Sequence, residues 1–475
     1  MLCAPAFAQA PDALARLDAI KGQALNSHAY SYLQELSDGI GPRLTGSPNA
    51  TIAARWAAAK MEGIGLKYVH LEPWRILRGW RRGLAHAELV SPIHLPLNIV
   101  SYGWAGSTPK GGLQAGVVLV DSDSLALEIK KNASSWAGKV LFVAPNSAKH
   151  IDPMRSYSQL ASLAIAAHAA HAVAVIRRDP RPGVMLTHTG PVSFSDTYYP
   201  TPIVDIAQEH YELLKRLLNS SKSVRINIEV RNTVSAGPVT SYNVIGEIPG
   251  YERPEHIVIL GAHLDSWDLG TGAIDDGFGV AAVLGAAEVL VASQLKPRST
   301  IRFILFTGEE QGLLGSDVYL WDHQAELINF CCAFILDWGQ GPITEFRLAG
   351  HYELMRTLDK LSELMSEVTK FKTDMGYLMF TDAYSFTLAG LSGVGLLQES
   401  RDYTLLGHSA ADTLDKIDPD TLARNTAVLA ISGFWIADQR NRTGMLLTPE
   451  DIVETLTVYK QRTALELLGL WPLSK

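Results

Sequence analysis

The residues with the most chemistry in their spacing are acids and histidines in the second half of this 475-residue chain. His263 and Asp265 stand two apart in Gly261-Ala-His263-Leu-Asp265-Ser-Trp-Asp268. On an extended chain they share one face, so the carboxylate can accept the imidazole's second N–H and fix its tautomer, as a metal-binding histidine requires. Asp275-Asp276 lies directly before the helical run Val280–Leu290, where a carboxylate gains from the helix N-terminus. Glu309-Glu310 follows the apolar strand Thr300–Thr307, and adjacent carboxylates there are costly unless a cation or a shared proton relieves them. Asp337 ends another apolar strand, Cys331–Leu336, and Gly407-His408-Ser-Ala-Ala-Asp412-Thr413 adds a later histidine on a loop. Taken singly, a His-x-Asp also occurs as a surface pair and an Asp-Asp-Gly as a capped turn. Taken together, nitrogen and oxygen ligands without a thiolate suit Zn²⁺, with Mn²⁺ or Co²⁺ as substitutes, rather than Cu(I) or an iron–sulfur cluster.

These side chains need a frame that delivers them to one place. The runs Ser241–Ile248, His256–Ala262, Thr300–Thr307 and Cys331–Leu336 are each expected to be a strand followed by a turn and a helical stretch, as in a parallel α/β sheet buried on both faces. Ligands bind at the carboxyl ends of such strands, where all the candidate residues fall. Upstream, two helical patterns end at Gly39-Ile-Gly41-Pro42, and Ser47-Pro48 opens a helix reaching Gly63. Strands follow at Lys67–Pro73 and Leu84–Val90. From Ile99 to Arg231 the texture changes to short strands between turns, at Gly116–Asp121, Gly138–Val143, Ala172–Ile176 and Val224–Val230, which reads as an inserted β-rich domain. The expected division is a signal remnant at 1–10, the first part of the main domain at 11–98, the insertion at 99–236 and the rest of the main domain at 237–475, closed by a helix over Pro449–Leu468.

Composition removes several classes of function. With 47% apolar and 19% charged residues the chain is globular, and a net charge of −8 lacks the basic excess that nucleic acid binding needs. The apolar run Leu160–Ile176 carries His168 and His171 and falls short of the ~20 residues of a membrane span; it reads as buried helix plus strand. Gly277-Phe-Gly279-Val-Ala-Ala282 fits a loose dinucleotide pattern, but Asp275 and Asp276 immediately upstream would repel a pyrophosphate. No phosphate-binding G-x-x-x-x-G-K-[ST] and no G-x-S-x-G elbow occurs. Cys3 is isolated and Cys331-Cys332 are adjacent, so no disulfide framework is expected. Ala6-Phe7-Ala8 has the small-x-small form of a signal-peptidase site, and the chain is expected to be exported to a periplasm or the exterior.

The strings His263-Leu-Asp-Ser-Trp-Asp-Leu-Gly270, Ala273-Ile-Asp275-Asp-Gly277, Glu309-Glu310-Gln311-Gly312, Asp337-Trp-Gly339 and His408-Ser-Ala-Ala-Asp412-Thr413, in this order, resemble the co-catalytic zinc exopeptidases of clan MH. Within them the chain is most similar to the carboxypeptidase Q branch. Gly41-Pro-Arg-Leu-Thr-Gly-Ser47 and the insertion, which resembles a protease-associated domain, extend the likeness over most of residues 20–440. The resemblance implies a three-layer α/β/α hydrolase-like domain carrying that insertion. It implies two Zn²⁺ bridged by Asp275, one completed by His263 and Asp337 and the other by Glu310 and His408. Glu309 then matches the general acid/base, and Asp265 the partner of His263.

The implied reaction is hydrolysis of dipeptides or short peptides by a water that Glu309 deprotonates and whose proton it returns to the leaving amine. Metal coordination lowers the pKa of water from ~15.7 to ~7, which ranks the metals above Glu309 in importance. Tyr377 and Asp382 are candidate substrate residues, with Tyr377 equally readable as a buried structural tyrosine. An aminopeptidase of the same fold and a non-catalytic receptor-like ectodomain are the alternatives. The resemblance also implies a homodimer.

Overall fold

The computed structural model describes residues 10–24, 26–144, 153–187, 190, 198–220, 223–366, 368–467 and 471. Cys3 and the Ala6-Phe7-Ala8 motif lie outside the described residues. Two large sheets form. The first contains β1 (Lys67–Ile76), β2 (Val239–Ile248), β3 (Arg253–His263), β4 (Ser299–Phe306), β5 (Phe330–Ile335), β6 (Ile343–Arg347), β7 (Lys372–Asp374) and β8 (Gly393–Gln398), in the order β1-β2-β4-β3-β5-β8-β6-β7. Its central strands β4, β3, β5 and β8 are parallel, with His263 opposite Phe306 and Gly261 opposite Ile335. That register brings the residues that follow each strand to one edge.

Strand burial explains the layers. Val258, Leu260 and Ala262 of β3 join one core with the helices α1 (Pro48–Ile64), α2 (Phe278–Ala292) and α3 (Pro419–Ala437). Ile257 and Ile259, pointing the other way, pack with Tyr319 of the helix Leu314–Asp322 and Phe386 of Asp382–Leu388. The result is the three-layer α/β/α arrangement expected. α1 starts as expected, with the Ser47 hydroxyl accepting the Ala50 N–H at 3.1 Å and Pro48 in the first turn. α2 is apolar on nearly every face because it is covered on every side, the situation in which a helix loses amphipathicity.

Several elements differ from expectation. β2 is antiparallel to both its neighbours. Only Pro249-Gly-Tyr-Glu252 separates it from β3, far too few residues for the crossover that parallel strands need. β6, β7 and β8 carry no strong strand signal, being short or glycine-rich, and β8 forms by completing the parallel core beside β5. The closing helical segment divides into Pro449–Val458 and Arg462–Leu467.

The second sheet runs Leu95–Leu97, Ala85–Ser91, Arg225–Val230, Leu113–Asp121, Lys139–Ala144, Ala174–Arg178, Ile203–Ile206, Ile99–Ser101. The strand Ala85–Ser91 therefore belongs to this sheet and not to the main one, and the inserted region begins earlier than residue 99. Its alternating burial, with Ala87 and Leu89 facing one core, suits a strand near the edge with one solvated face, whereas the central strands of this sheet are buried on both faces. The run Leu160–Ile176 resolves as expected into helix, within Pro153–Ala169, and strand, within Ala174–Arg178. Helices also occur at Leu125–Asn132 and Gln208–Asn219, so the inserted region is mixed α/β rather than purely β-rich.

The segment Gly41–Ser47 ties the N-terminal helices to the edge of the sheet. Arg43 is fully buried, and its guanidinium donates to the carbonyl oxygens of Leu264 (2.7 Å), Thr271 (2.7 Å) and Gly272 (2.9 Å). Burial lowers its pKa to about 10 against the opposing pull of Asp412 and Asp265. Gly272 accepts this contact with φ of +62°, where a Cβ would lie 2.4 Å from Ser266 Cβ. Arg43→Met would leave those carbonyls and acids without their buried cation, and is expected to cost roughly 3–5 kcal/mol of unfolding free energy. Urea unfolding of the metal-free protein measures it, and a loss below about 1 kcal/mol would contradict this role.

Candidate active site

The edge of the main sheet gathers the acids and histidines named from the sequence. β3 ends at His263, the loop after it leads to Asp275 at the threshold of α2, β4 leads to Glu309-Glu310, and β5 leads to Asp337. His408 arrives from a separate loop beyond β8. Gly308 permits the turn into Glu309 with φ of +83°, because a Cβ there would meet the Trp74 ring at 2.6 Å.

Asp275 occupies the centre. One carboxylate oxygen is 3.0 Å from Nε2 of His263 and the other 3.0 Å from Nε2 of His408. Asp337 Oδ1 lies 3.7 Å from the His263 nitrogen, and Glu310 Oε2 lies 3.1 Å from that of His408. Two triads result, His263–Asp275–Asp337 and Asp275–Glu310–His408, the ligand atoms of each lying within 4.8 Å of one another. Glu309 belongs to neither; its Oε2 is 4.0 Å from His263 Nε2, beside the first triad.

The electrostatics ask for cations. Burial raises the Asp337 carboxyl to about 6 and that of Glu310 to about 7, with Asp275 adding repulsion in both cases. Glu309 is pushed well above the usual carboxylate range by burial and by Asp337 and Glu310. Burial would lower the pKa of His263 and His408, but the surrounding carboxylates raise both well above the ordinary imidazole value. Asp275 goes the other way: burial is outweighed by hydrogen bonds from the two imidazoles, which hold it below its usual value. Among the described residues, Glu310 Oε1 and Asp337 Oδ2 are buried without a hydrogen-bond partner. Buried acceptors without donors, aimed into a cluster of hard oxygen and imidazole ligands, fit two divalent cations that share Asp275.

The residues around the triads have separable tasks. Asp276 accepts the backbone N–H of Gly279 (2.9 Å) and of His263 (3.2 Å), so it caps α2 and ties it to β3. Asp412 accepts the N–H groups of Ile274 (2.6 Å) and Asp275 (3.3 Å), fixing the Asp275 backbone. Asp265 differs from expectation in detail. His263 Nδ1 is 3.0 Å from the Asp265 backbone oxygen and 3.6 Å from its carboxylate, which instead accepts the Thr45 hydroxyl at 2.6 Å and the Glu309 N–H at 3.4 Å. Asp265 thus links the imidazole, the N-terminal segment and Glu309.

Neither candidate substrate residue belongs to a triad, although Asp382 lies near enough for its charge to help raise the Glu309 carboxyl. Tyr377 packs edge-on against Tyr384 and Tyr459 in an apolar cluster with Leu313 and Leu456, which is the structural reading. Asp382 opens the helix Asp382–Leu388 with no exposed surface, neither carboxylate oxygen has a hydrogen-bond partner among the described residues, and burial raises it to about 8. The phenol at the site is Tyr403, whose hydroxyl donates to Asp275 Oδ2 at 2.9 Å. No spacing marked Tyr403 in advance, whereas Thr45 lay within a motif already noted.

Residues 243–432 match the model of peptidase family M28. Carboxypeptidase Q of Pongo abelii is 30% identical over 422 residues, covering 88% of this chain and 87% of that protein, and the Homo sapiens protein is equally similar. A peptidase M28 precursor from Shewanella amazonensis is 31% identical with a TM-score of 0.80, covering 92% of this chain and 99% of that one. A zinc aminopeptidase from Bacillus subtilis has the same fold, with a TM-score of 0.68 over 87% of this chain and 96% of that one at 22% identity. Likeness of this extent establishes that the chain belongs to peptidase family M28 and is a metallo-exopeptidase.

Proposed function

We propose that this chain hydrolyses dipeptides or other short peptides with a free terminus, using Glu309 as general acid and base beside two zinc ions held by His263, Asp275, Asp337, Glu310 and His408. The observation that carries this reading is the pair of triads sharing Asp275. Zinc in such triads supplies Lewis acidity that polarises a scissile carbonyl and makes water a nucleophile at neutral pH. Glu309, outside the triads, is free to take a proton from the attacking water and return it to the departing amine. Its backbone is steadied through Asp265, which also orients His263. Tyr403 can give a hydrogen bond to charge developing beside Asp275.

The preference for short peptides rests on similarity to carboxypeptidase Q along almost the full chain. An aminopeptidase is the second reading, favoured by a stretch of 90 residues 39% identical to a probable leucine aminopeptidase 2 of Aspergillus oryzae. A non-catalytic receptor-like role is disfavoured because every ligand and Glu309 are present. No described helix is long and apolar enough to cross a membrane; export, a protease-associated character for the inserted region and homodimerisation are further proposals.

Removal of zinc by a chelator is expected to abolish hydrolysis of a free dipeptide, and about two equivalents of Zn²⁺ should restore it; metal analysis showing a single tightly held ion in the active protein would refute the two-ion site. Glu309→Gln should keep both ions and lose kcat by roughly 10²-fold or more. Near-normal kcat in the zinc-loaded variant would remove Glu309 from the mechanism. Comparing a dipeptide with its amino-blocked and carboxyl-blocked forms decides the terminus: cleavage that survives amino blocking but not carboxyl blocking marks a carboxypeptidase, and the reverse marks an aminopeptidase.

A further inference from the structure

His408 is held from outside the main sheet. Its backbone has φ of 56°, the left-handed region that a residue with a Cβ rarely occupies unless its surroundings enforce it. The groups that grip the residues on either side of it come from the inserted region. Arg181, shortly after the strand Ala174–Arg178, donates from Nη1 to the carbonyl oxygens of Leu405 (2.6 Å) and Gly407 (2.7 Å), on the turn that leads into His408. Thr187 forms an isolated antiparallel bridge to Ser409, immediately after it. Asp179, fully buried, secures both: one carboxylate oxygen accepts the Arg181 N–H at 2.9 Å, and the other accepts the Thr187 N–H and its hydroxyl, the latter at 2.8 Å.

This grip is one-sided. His263 and Asp337 emerge from the ends of parallel strands in the middle of the sheet, and Glu310 follows a third such strand. The loop of His408 is clamped on both flanks by the inserted region, whereas Asp275, which also sits on no strand, is anchored by Arg43 and Asp412. We infer that Arg181 is a positioning residue for the cation site built on Glu310 and His408, through which the inserted region sets the affinity for one of the two metal ions. The inference rests on the two-ion reading and extends it: the two ions differ in how they are held, because the Glu310–His408 site takes one ligand from a loop that Arg181 of the inserted region grips directly.

The test uses the full chain stripped of metal and titrated with Zn²⁺ alone against a chromophoric chelator, giving two stepwise dissociation constants. Arg181→Met removes the donors while keeping the aliphatic stem. It is expected to weaken one of the two constants by about 10- to 100-fold, the usual effect of losing a group that orients a metal ligand, while the other stays within about twofold. Amide hydrogen exchange over residues 403–409 should rise in the same variant, with the melting temperature of the metal-free protein unchanged. Arg181→Lys, able to serve one carbonyl at a time, should fall between Met and wild type, and it carries the same test where the Met variant does not fold. Two unchanged constants overturn the inference, as does parallel weakening of both sites with a lowered melting temperature, which marks a general structural role. A wild-type chain that takes up fewer than two equivalents of zinc overturns the two-ion reading and this inference together, whereas a normal wild type with an unaffected variant overturns this inference alone.

Discussion

Four side chains, His263, Asp337, Glu310 and His408, crowded around the buried Asp275 carboxylate set the terms for everything else in the molecule. Asp275 lies between two imidazoles, with Asp337 and Glu310 behind them, in surroundings from which water is largely removed. Carboxylates crowded into a low-dielectric site repel one another strongly, and each has lost its hydration. Such a cluster persists only where rigid elements hold the groups in place and positive charge compensates them. The architecture provides the first of these, and the donor chemistry indicates that divalent cations provide the second.

Rigidity comes in graded form. The parallel strands β3, β4 and β5, packed on both faces, deliver His263, Glu309-Glu310 and Asp337 from backbone that is fixed by its neighbours. Asp275 sits on no strand, and its placement uses several polar anchors: Asp412 on its own N–H, Asp276 at the start of α2, and Arg43 on the loop between it and β3. A fully buried arginine bonded to three carbonyls there does what a strand does elsewhere, since it satisfies backbone acceptors that a tight loop cannot pair internally. Stability and placement are therefore joined in this segment, because the groups that keep the loop folded also aim the Asp275 carboxylate.

The inserted region has a structural relation to the site that its own composition does not reveal. Among the described residues it carries no cluster of ionisable residues comparable to the one in the main sheet, yet it reaches back along two routes. Arg181 and Thr187 meet the turn of His408, and Gly103 and Gly190 lie against the Trp267 ring, on the loop following His263, so closely that a Cβ on either would come within about 3.0 Å. Trp267 in turn stands edge-on to the His408 ring, with centroids 6.1 Å apart. A region that is separate in sheet topology is thus continuous in packing with the chemistry.

Much of this was legible in the sequence, for identifiable reasons. Acidic pairs at the ends of apolar runs, a histidine two residues from an aspartate and the order of those motifs along the chain are local properties, and they named all the members of the two triads together with Glu309. The buried central strands were legible because continuous apolar runs have few other uses in a globular chain. What the chain pattern could not express was pairing across distance. The direction of β2, the membership of Ala85–Ser91 in the second sheet, and the strands β6 to β8 depend on which neighbours complete a sheet. Tyr403, Arg181 and the carbonyl that meets His263 Nδ1 in place of the Asp265 carboxylate were likewise decided by tertiary structure. Their partners lie far along the chain or on the backbone itself, where no residue type or spacing records them. The sequence by itself determined which atoms could bind metal and move a proton; only the folded chain decided what holds them at the required distances, because that is a property of contacts between segments and not of either segment alone.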